Sequence, residues 1–488
     1  MLLRGARLVP VGGAAPEGLV DLRVRDGRVS AVEPGLAAAA GEQERRLDGR
    51  WVIPGLWDAH VHLGQWARQA TRLDVSGTAC AEEVAARVST ADGHGLLVGG
   101  GYRPAAWPHP PTVGGLDRVT GTRPVVLVSG DAHAGWLNTA ALRLLGLHDR
   151  DEPVVEAEWF DVLPRVLAME DAVVGPGAYT DALLAAARVG VVGVCDFEFE
   201  RGFDAWVRRY PAVGVPLRVR TSTYPVDLDA AIGEGLRTGD RLLPEQDLLT
   251  MGSLKIISDG SLNTRTASCC EPYPDGGHGV QNVSPDDLAL LLGRAQRHGL
   301  EVALHAIGDA AVGRAVAAFE QTGAAGSIEH AQLLRPAQVE AMSRAGLVAS
   351  IQPAHLLDDR PVIAALWGEQ RAARSYAFRD LASAGVRLAL GSDAPVAPLD
   401  PWLAMAAAVH RGEPGEAAWH PEQSLTASEA LASSTDGRTT VEVGAPADLA
   451  VLDSDPMAPG DPAEIAARWR DIRVAATLVA GRIVHDAL

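Results

Sequence analysis

The chain has 488 residues, 47% of them hydrophobic, which is enough for a large core and excludes global disorder. Its 43 lysines and arginines against 62 aspartates and glutamates give a formal charge of −19, which argues against nucleic acid or an anionic membrane as the main partner. Size alone suggests about three domains of ~150 residues, yet an α/β barrel with insertions can exceed ~400 residues as one unit.

The N-terminal stretch MLLRGARLVPVGG has no long apolar run behind its arginines, so neither a signal peptide nor a transmembrane span is expected. Residues 1–55 hold short β-like runs broken by glycine: LLRGARLVP, VDLRVRDGRVSAVEP and RRLDGRWVIPG. The Asp26-Gly27 pair between alternating segments is a hairpin signal. A second set, ADLAVLDSDP and VAATLVAGRIVH, lies near the other end. The pattern predicts one small β-domain composed of residues 1–55 and 438–488.

Between them the pattern changes. Apolar runs recur, each followed by a helical stretch: GLWDAHVH (55–62), VVGVCDFE (191–198), LRVRTSTY (217–224), GSLKIISD (252–259), EVALHAIG (301–308), SIEHAQL (327–333), LVASIQP (347–353) and VRLALGSD (386–393). Clean helices lie between several of them. One starts at the Ser284 cap with Pro285 in its first position and stops at Gly299; others span 309–323 and 335–346. Eight strands alternating with helices predict an α/β fold, a (β/α)₈ TIM barrel over residues 56–437. Roughly 125 residues separate the first run from the second, far beyond an ordinary connection. They predict an inserted subdomain at about 65–180, hanging over the barrel mouth.

Barrel active sites lie at the C-terminal ends of the strands. The first run ends in His60-Val61-His62, whose two imidazoles share a face because side chains alternate along a strand. The fifth ends in His305, the sixth in His330 and the eighth in Asp393. Neutral imidazoles and a carboxylate are ligands for zinc and related divalent ions. Two histidines on one strand are a weak signal; four with an aspartate at matching strand ends are a strong one. In the fourth run Lys255 shares a face with Ser253, Ile257 and Asp259. Pointing inward, burial would depress its pKa, and the neutral amine could take up CO₂ to give a carbamate that bridges two metals. Pointing outward, it would cap a helix C-terminus instead.

The ordered motifs VIPGLWDAHVHLG (52–64), SGDAHAGWLNTAAL (129–142), LKIISDGSLNTRTA (254–267), ALHAIGDAAV (303–312), SIEHAQL (327–333), SIQPAHLLDD (350–359), GSDAPVAPLDPW (391–402) and GAPADLAVLDSDP (444–456) span almost the whole chain. Together they resemble the amidohydrolase superfamily and, within it, the YtcJ-like branch (amidohydrolase family 3), which includes N-substituted formamide deformylases. The resemblance implies that His60, His62, Lys255, His305, His330 and Asp393 hold a centre of one or two metal ions. It also implies that the terminal β-domain is a small sandwich. One departure is Tyr102, which stands where the family often has a Gly-Trp pair.

The expected chemistry is hydrolysis of an amide or related C–N bond by a metal-activated hydroxide, with Asp393 as proton acceptor and then donor. Candidate substrate contacts are Asp131, His133 and Trp136, in a loop-like stretch that could equally be a capping cluster for the helix after Asn138. Arg265 could bind a carboxylate and His355 an oxyanion. An esterase on the same site is a second reading, and a non-catalytic assembly protein on the same barrel a third. The expected setting is cytoplasmic, with a small-molecule substrate and room for a homodimer. The four cysteines, Cys80, Cys195, Cys269 and Cys270, have no metal-ligand spacing.

Overall fold

Each of the eight apolar runs forms a strand of a single parallel barrel in the computed structural model, which describes residues 1–214, 217–244 and 246–488. The strands are β1 (Leu56–Val61), β2 (Val191–Asp196), β3 (Arg218–Thr223), β4 (Gln246–Ile257), β5 (Val302–Ala306), β6 (Gly326–His330), β7 (Val348–Ile351) and β8 (Arg387–Leu390). They pair in sequence order, parallel throughout. A parallel bridge from Val61 to Ala394 brings the end of β8 back to β1, so the barrel is nearly closed.

Alternation sets what each strand buries. Leu254 and Ile256 of β4, Leu304 of β5 and Ile328 of β6 join the apolar layer between strands and helices. Their neighbours Lys255, His305 and Glu329 therefore face the barrel axis. The outer helices follow their sequence signals. Ser284 caps Pro285–Arg297 by accepting from the Asp287 N–H. Asp309–Thr322 ends on Gly323, whose φ of 66° is the left-handed turn that glycine tolerates best.

The two terminal regions meet in one eight-stranded system. The first half of Leu2–Leu8 pairs with Val20–Arg25, while Arg7 and Leu8 run parallel to Trp51–Pro54. That strand thus links two layers. Leu3, Leu22 and Val24 from one and Val52, Leu449, Val451 and Leu478 from the other enclose a shared core. Asp26 and Gly27, both at positive φ, make the two-residue hairpin loop between Val20–Arg25 and Arg28–Glu33. The buried Asp448 carboxylate takes Arg218 of β3 and Arg438, each at 2.7 Å, and pins this domain to the base of the barrel.

The segment after β1 builds its own five-stranded sheet, ordered Val154–Val155, Ala134–Leu137, Val125–Ser129, Leu97–Tyr102, Leu73–Asp74. Helix Glu156–Arg188, interrupted at Gly175, leads back to β2. Asp131, Ala132, His133 and Phe160 of this subdomain line a pocket at the strand ends of the barrel. Among the described residues no helix is long and apolar enough to cross a membrane.

Candidate metal centre

The site is assembled from β1 outward. Asp58 and His60 point to the same side of β1, and Asp58 accepts from the backbone N–H groups of His60 (3.1 Å) and Ser392 (2.9 Å). This clips β1 to the loop after β8. Glu329 of β6 lies 2.6 Å from His60 Nδ1, and both side chains are about 1% exposed. With Nδ1 engaged, His60 Nε2 is left to face Asp393 Oδ1 at 3.4 Å and Lys255 Nζ at 3.3 Å. His62 Nε2 lies 3.5 Å from the same Asp393 oxygen, its ring stacked on Phe199. His305 Nε2 faces the Gly260 carbonyl (3.3 Å) and Asp259 (3.5 Å). The His330 ring sits 4.6 Å from that of His305 and 5.0 Å from that of His60.

His60, His330 and Asp393 each offer a donor atom, all within 4.8 Å of one another, and all three residues are buried. Burial, reinforced by the nearby Lys255 charge, holds His60 and His330 well below the usual imidazole range. Burial likewise takes His62 down to about 3. Such rings are neutral and carry the lone pair a metal needs. Burial raises the Asp393 carboxyl to about 7, against the opposing pull of Lys255 and His133. This buried set of nitrogen and oxygen donors fits a divalent cation. Lys255 points inward rather than to a helix end, with its ammonium 4.4 Å above the Phe197 ring. Burial lowers its pKa to about 8, although Glu329 and Asp393 pull the other way.

Two backbone departures aim these groups. Glu329 and His330 are consecutive, and on a regular strand they would face opposite ways. His330 has φ 71°, so the chain leaves β geometry there and both side chains reach the same centre. Asp393 has φ 57°.

The pocket over this centre includes His62, Phe160, Phe199, Lys255 and His305 in its wall. A second chamber shares Asp131, His133, His330 and Asp393 with it. Of the substrate contacts expected from sequence, Asp131 and His133 line both chambers and His355 lines the second, 3.9 Å from Asp393 Oδ2. Two do not reach the pocket wall. Trp136 is fully buried in the subdomain core, its indole N–H donating to the Thr112 carbonyl at 2.8 Å. An apolar strand residue in the packed sheet has no route to the barrel mouth. Arg265 is half exposed, 3.5 Å from Asp275. The hydroxyls of Thr264 and Thr266 on either side turn inward to Glu156, so Arg265 turns out. Asn138 caps helix Thr139–Leu144 by accepting from the Ala141 N–H.

Several further residues complete the site. Glu156 lies 3.2 Å from His133 Nδ1. Burial opposes protonation of that ring, but Glu156 and Asp131 outweigh it and raise His133 to about 9. Asp58, two positions before His60, was detectable by alternation. Glu329 was hidden by the same rule, and Glu156, Phe160 and Phe199 enter through tertiary packing alone.

A family model described as "Amidohydrolase family" matches residues 43–485. Putative amidohydrolase YtcJ of Bacillus subtilis is 28% identical over 91% of this chain and 90% of its own. N-substituted formamide deformylase of Arthrobacter pascens is 27% identical over 89% and 90% respectively. Among solved structures, an uncharacterised metal-dependent hydrolase from Pyrococcus horikoshii superposes with a TM-score of 0.77 at 27% identity, over 94% of this chain and 98% of that one. With its barrel, its terminal sheet and the inward cluster of histidines and Asp393, this chain belongs to the amidohydrolase family.

Proposed function

We propose that the protein is a metal-dependent hydrolase of small molecules that cleaves an amide or related carbon–nitrogen bond, with N-formyl and N-acyl amines as its substrate class. The convergence of His60, His330 and Asp393 at the floor of a pocket at the strand ends carries this reading. The likeness to a formamide deformylase supports the choice of bond.

His60, His330 and Asp393 would hold the ion, with His62, His305 and Lys255 as further donors for one or two ions. A divalent cation, zinc in the first instance, supplies Lewis acidity toward a carbonyl and makes water a better nucleophile at neutral pH. The chain's own groups do the rest. Asp393, beside His60 and His62, accepts the proton of the attacking water and returns it to the leaving nitrogen. His133, kept protonated by Glu156 and Asp131, donates to the carbonyl oxygen as negative charge develops there. His355 closes the other side of Asp393. The Lys255 amine, neutral in part near pH 8, adds to CO₂: an N–C bond forms, one proton leaves, and the resulting carbamate is a monoanion whose single charge is shared by two oxygens. The cysteines, all of them free, support a reducing, cytoplasmic setting.

The test is a panel of formamides, N-acyl amines and matched esters, assayed with zinc, manganese or iron. Release of free amine supports the reading. Ester cleavage with every amide inert would overturn the bond assignment, and protein purified without any retained metal would favour a non-catalytic role.

A further inference from the structure

The two chambers that meet at Asp393 differ in chemistry. The first is walled by Phe160 and Phe199, stacked with ring centroids 5.3 Å apart. The second mixes Leu262, Ile307 and Val396 with charged groups, and one carboxylate in it is held ready. Asp359, only 8% exposed, accepts from Gln332 Nε2 (2.8 Å) and from the Tyr376 hydroxyl (2.6 Å), both on Oδ2. Among the described residues nothing donates to Oδ1. Fixing one oxygen twice orients the carboxylate and leaves the other for a ligand in the chamber it lines.

The charges around it decide what that ligand is. Arg103, the chamber's guanidinium, is paired with Asp358 at 3.3 Å. His133 is paired with Glu156. Asp131 uses both oxygens on Ser129 and Ser261. Arg103 acts on Asp359 only at a distance, and among the described residues Asp359 has no ion pair, so its free oxygen stays open to a charged donor, from which a buried carboxylate gains most. His355 and Asp359 lie four residues apart on helix His355–Leu366, so they share a face about 6 Å apart along its axis. His355 borders Asp393, which places Asp359 about one helical turn from the reacting bond.

We infer that Asp359 is a specificity-determining residue that binds an ammonium group on the substrate, about one helical turn from the scissile bond, while an apolar or aromatic group on the other side of that bond lies against Phe160 and Phe199. The substrate class is thus a cationic amide with an apolar end. This rests on the hydrolase reading above and narrows it.

Matched pairs that differ only by ammonium against methyl test it. One pair is N-benzyl γ-aminobutyramide and N-benzyl pentanamide. The other reverses the amide: the N-(γ-aminopropyl) and N-butyl amides of phenylacetic acid. In at least one pair the wild-type protein prefers the cationic member by about tenfold or more in kcat/KM, the scale of a charge-assisted hydrogen bond. In Asp359→Asn that preference collapses toward unity. Absence of preference in both wild-type pairs overturns the inference, whatever the variant does. A preference that survives intact in a folded Asp359→Asn protein overturns it too. If the wild type hydrolyses none of the four, the panel above still decides the proposed function separately. Calorimetric Kd values for the same pairs on the wild type then decide for or against Asp359: tighter binding of the cationic member supports it, and equal binding overturns it.

Discussion

Glu329 Oε2 lies 2.6 Å from His60 Nδ1 in a fully buried contact, so β6 orients a histidine that β1 supplies. A carboxylate behind an imidazole fixes its tautomer and strengthens its other nitrogen as a ligand. Glu329→Gln removes the charge and keeps the shape. Metal affinity should fall by about 10- to 100-fold, measured by competition with a chelator. Unchanged affinity would mean that Glu329 only packs.

Asp393→Asn should retain the fold and lower kcat by about 10²- to 10⁴-fold, the usual worth of a positioned proton-transfer group. Metal content measured on the same preparation separates lost proton transfer from lost ligation. Full activity in the variant would remove Asp393 from the proton path.

Chelation should destabilise the protein as well as inactivate it. An ion bound only by the folded state at about 100 times its Kd contributes about 2.7 kcal/mol. The melting temperature should fall by a measurable step after treatment with a strong chelator and recover when zinc is restored. The same step should be absent in a His60→Ala, His330→Ala double variant.

Stability should also carry a pH signature from Asp196, which accepts from the Leu63 N–H (3.0 Å) and the Trp206 indole N–H (2.6 Å). Burial, with the charge of Glu198 added, raises its pKa from 3.8 to about 7. The folded state therefore holds a proton that the unfolded chain releases between these values. The stabilisation is fully present below pH 3.8 and is lost as pH rises through 7. In Asp196→Asn, denaturant titrations from about pH 4 to 7 should show a shallower loss of stability with pH than in the wild type. Identical slopes would show that Asp196 does not titrate in this window.

The barrel was legible because each strand is a short apolar run closed by glycine or a turn, and the outer helices carry ordinary caps such as Ser284 and Gly323. The cluster of His60, His330 and Asp393 was legible because barrel strands end at one rim, so residue type at matching positions was enough. Glu329 was not, since alternation assigns it away from His330 and only a positive φ at His330 brings both inward. Trp136 and Arg265 failed for the opposite reason. Their chemistry suits a pocket, but a packed sheet takes one and an inward turn of Thr264 and Thr266 leaves the other outside. The inserted subdomain has no repeating pattern to count, so Glu156 and Phe160 could be located only in three dimensions.

The terminal sheet has a consequence for how the molecule is made. Strand Trp51–Pro54 finds its antiparallel partner in Leu449–Leu452, and Arg50 meets Asp453, 403 positions later. During translation the early strands can pair with one another, but the second edge of Trp51–Pro54 must wait while nearly the whole barrel is synthesised. Their apolar faces are then a hazard for the nascent chain, and loss of the Asp448 latch should show first as poor yield from the ribosome rather than as poor catalysis.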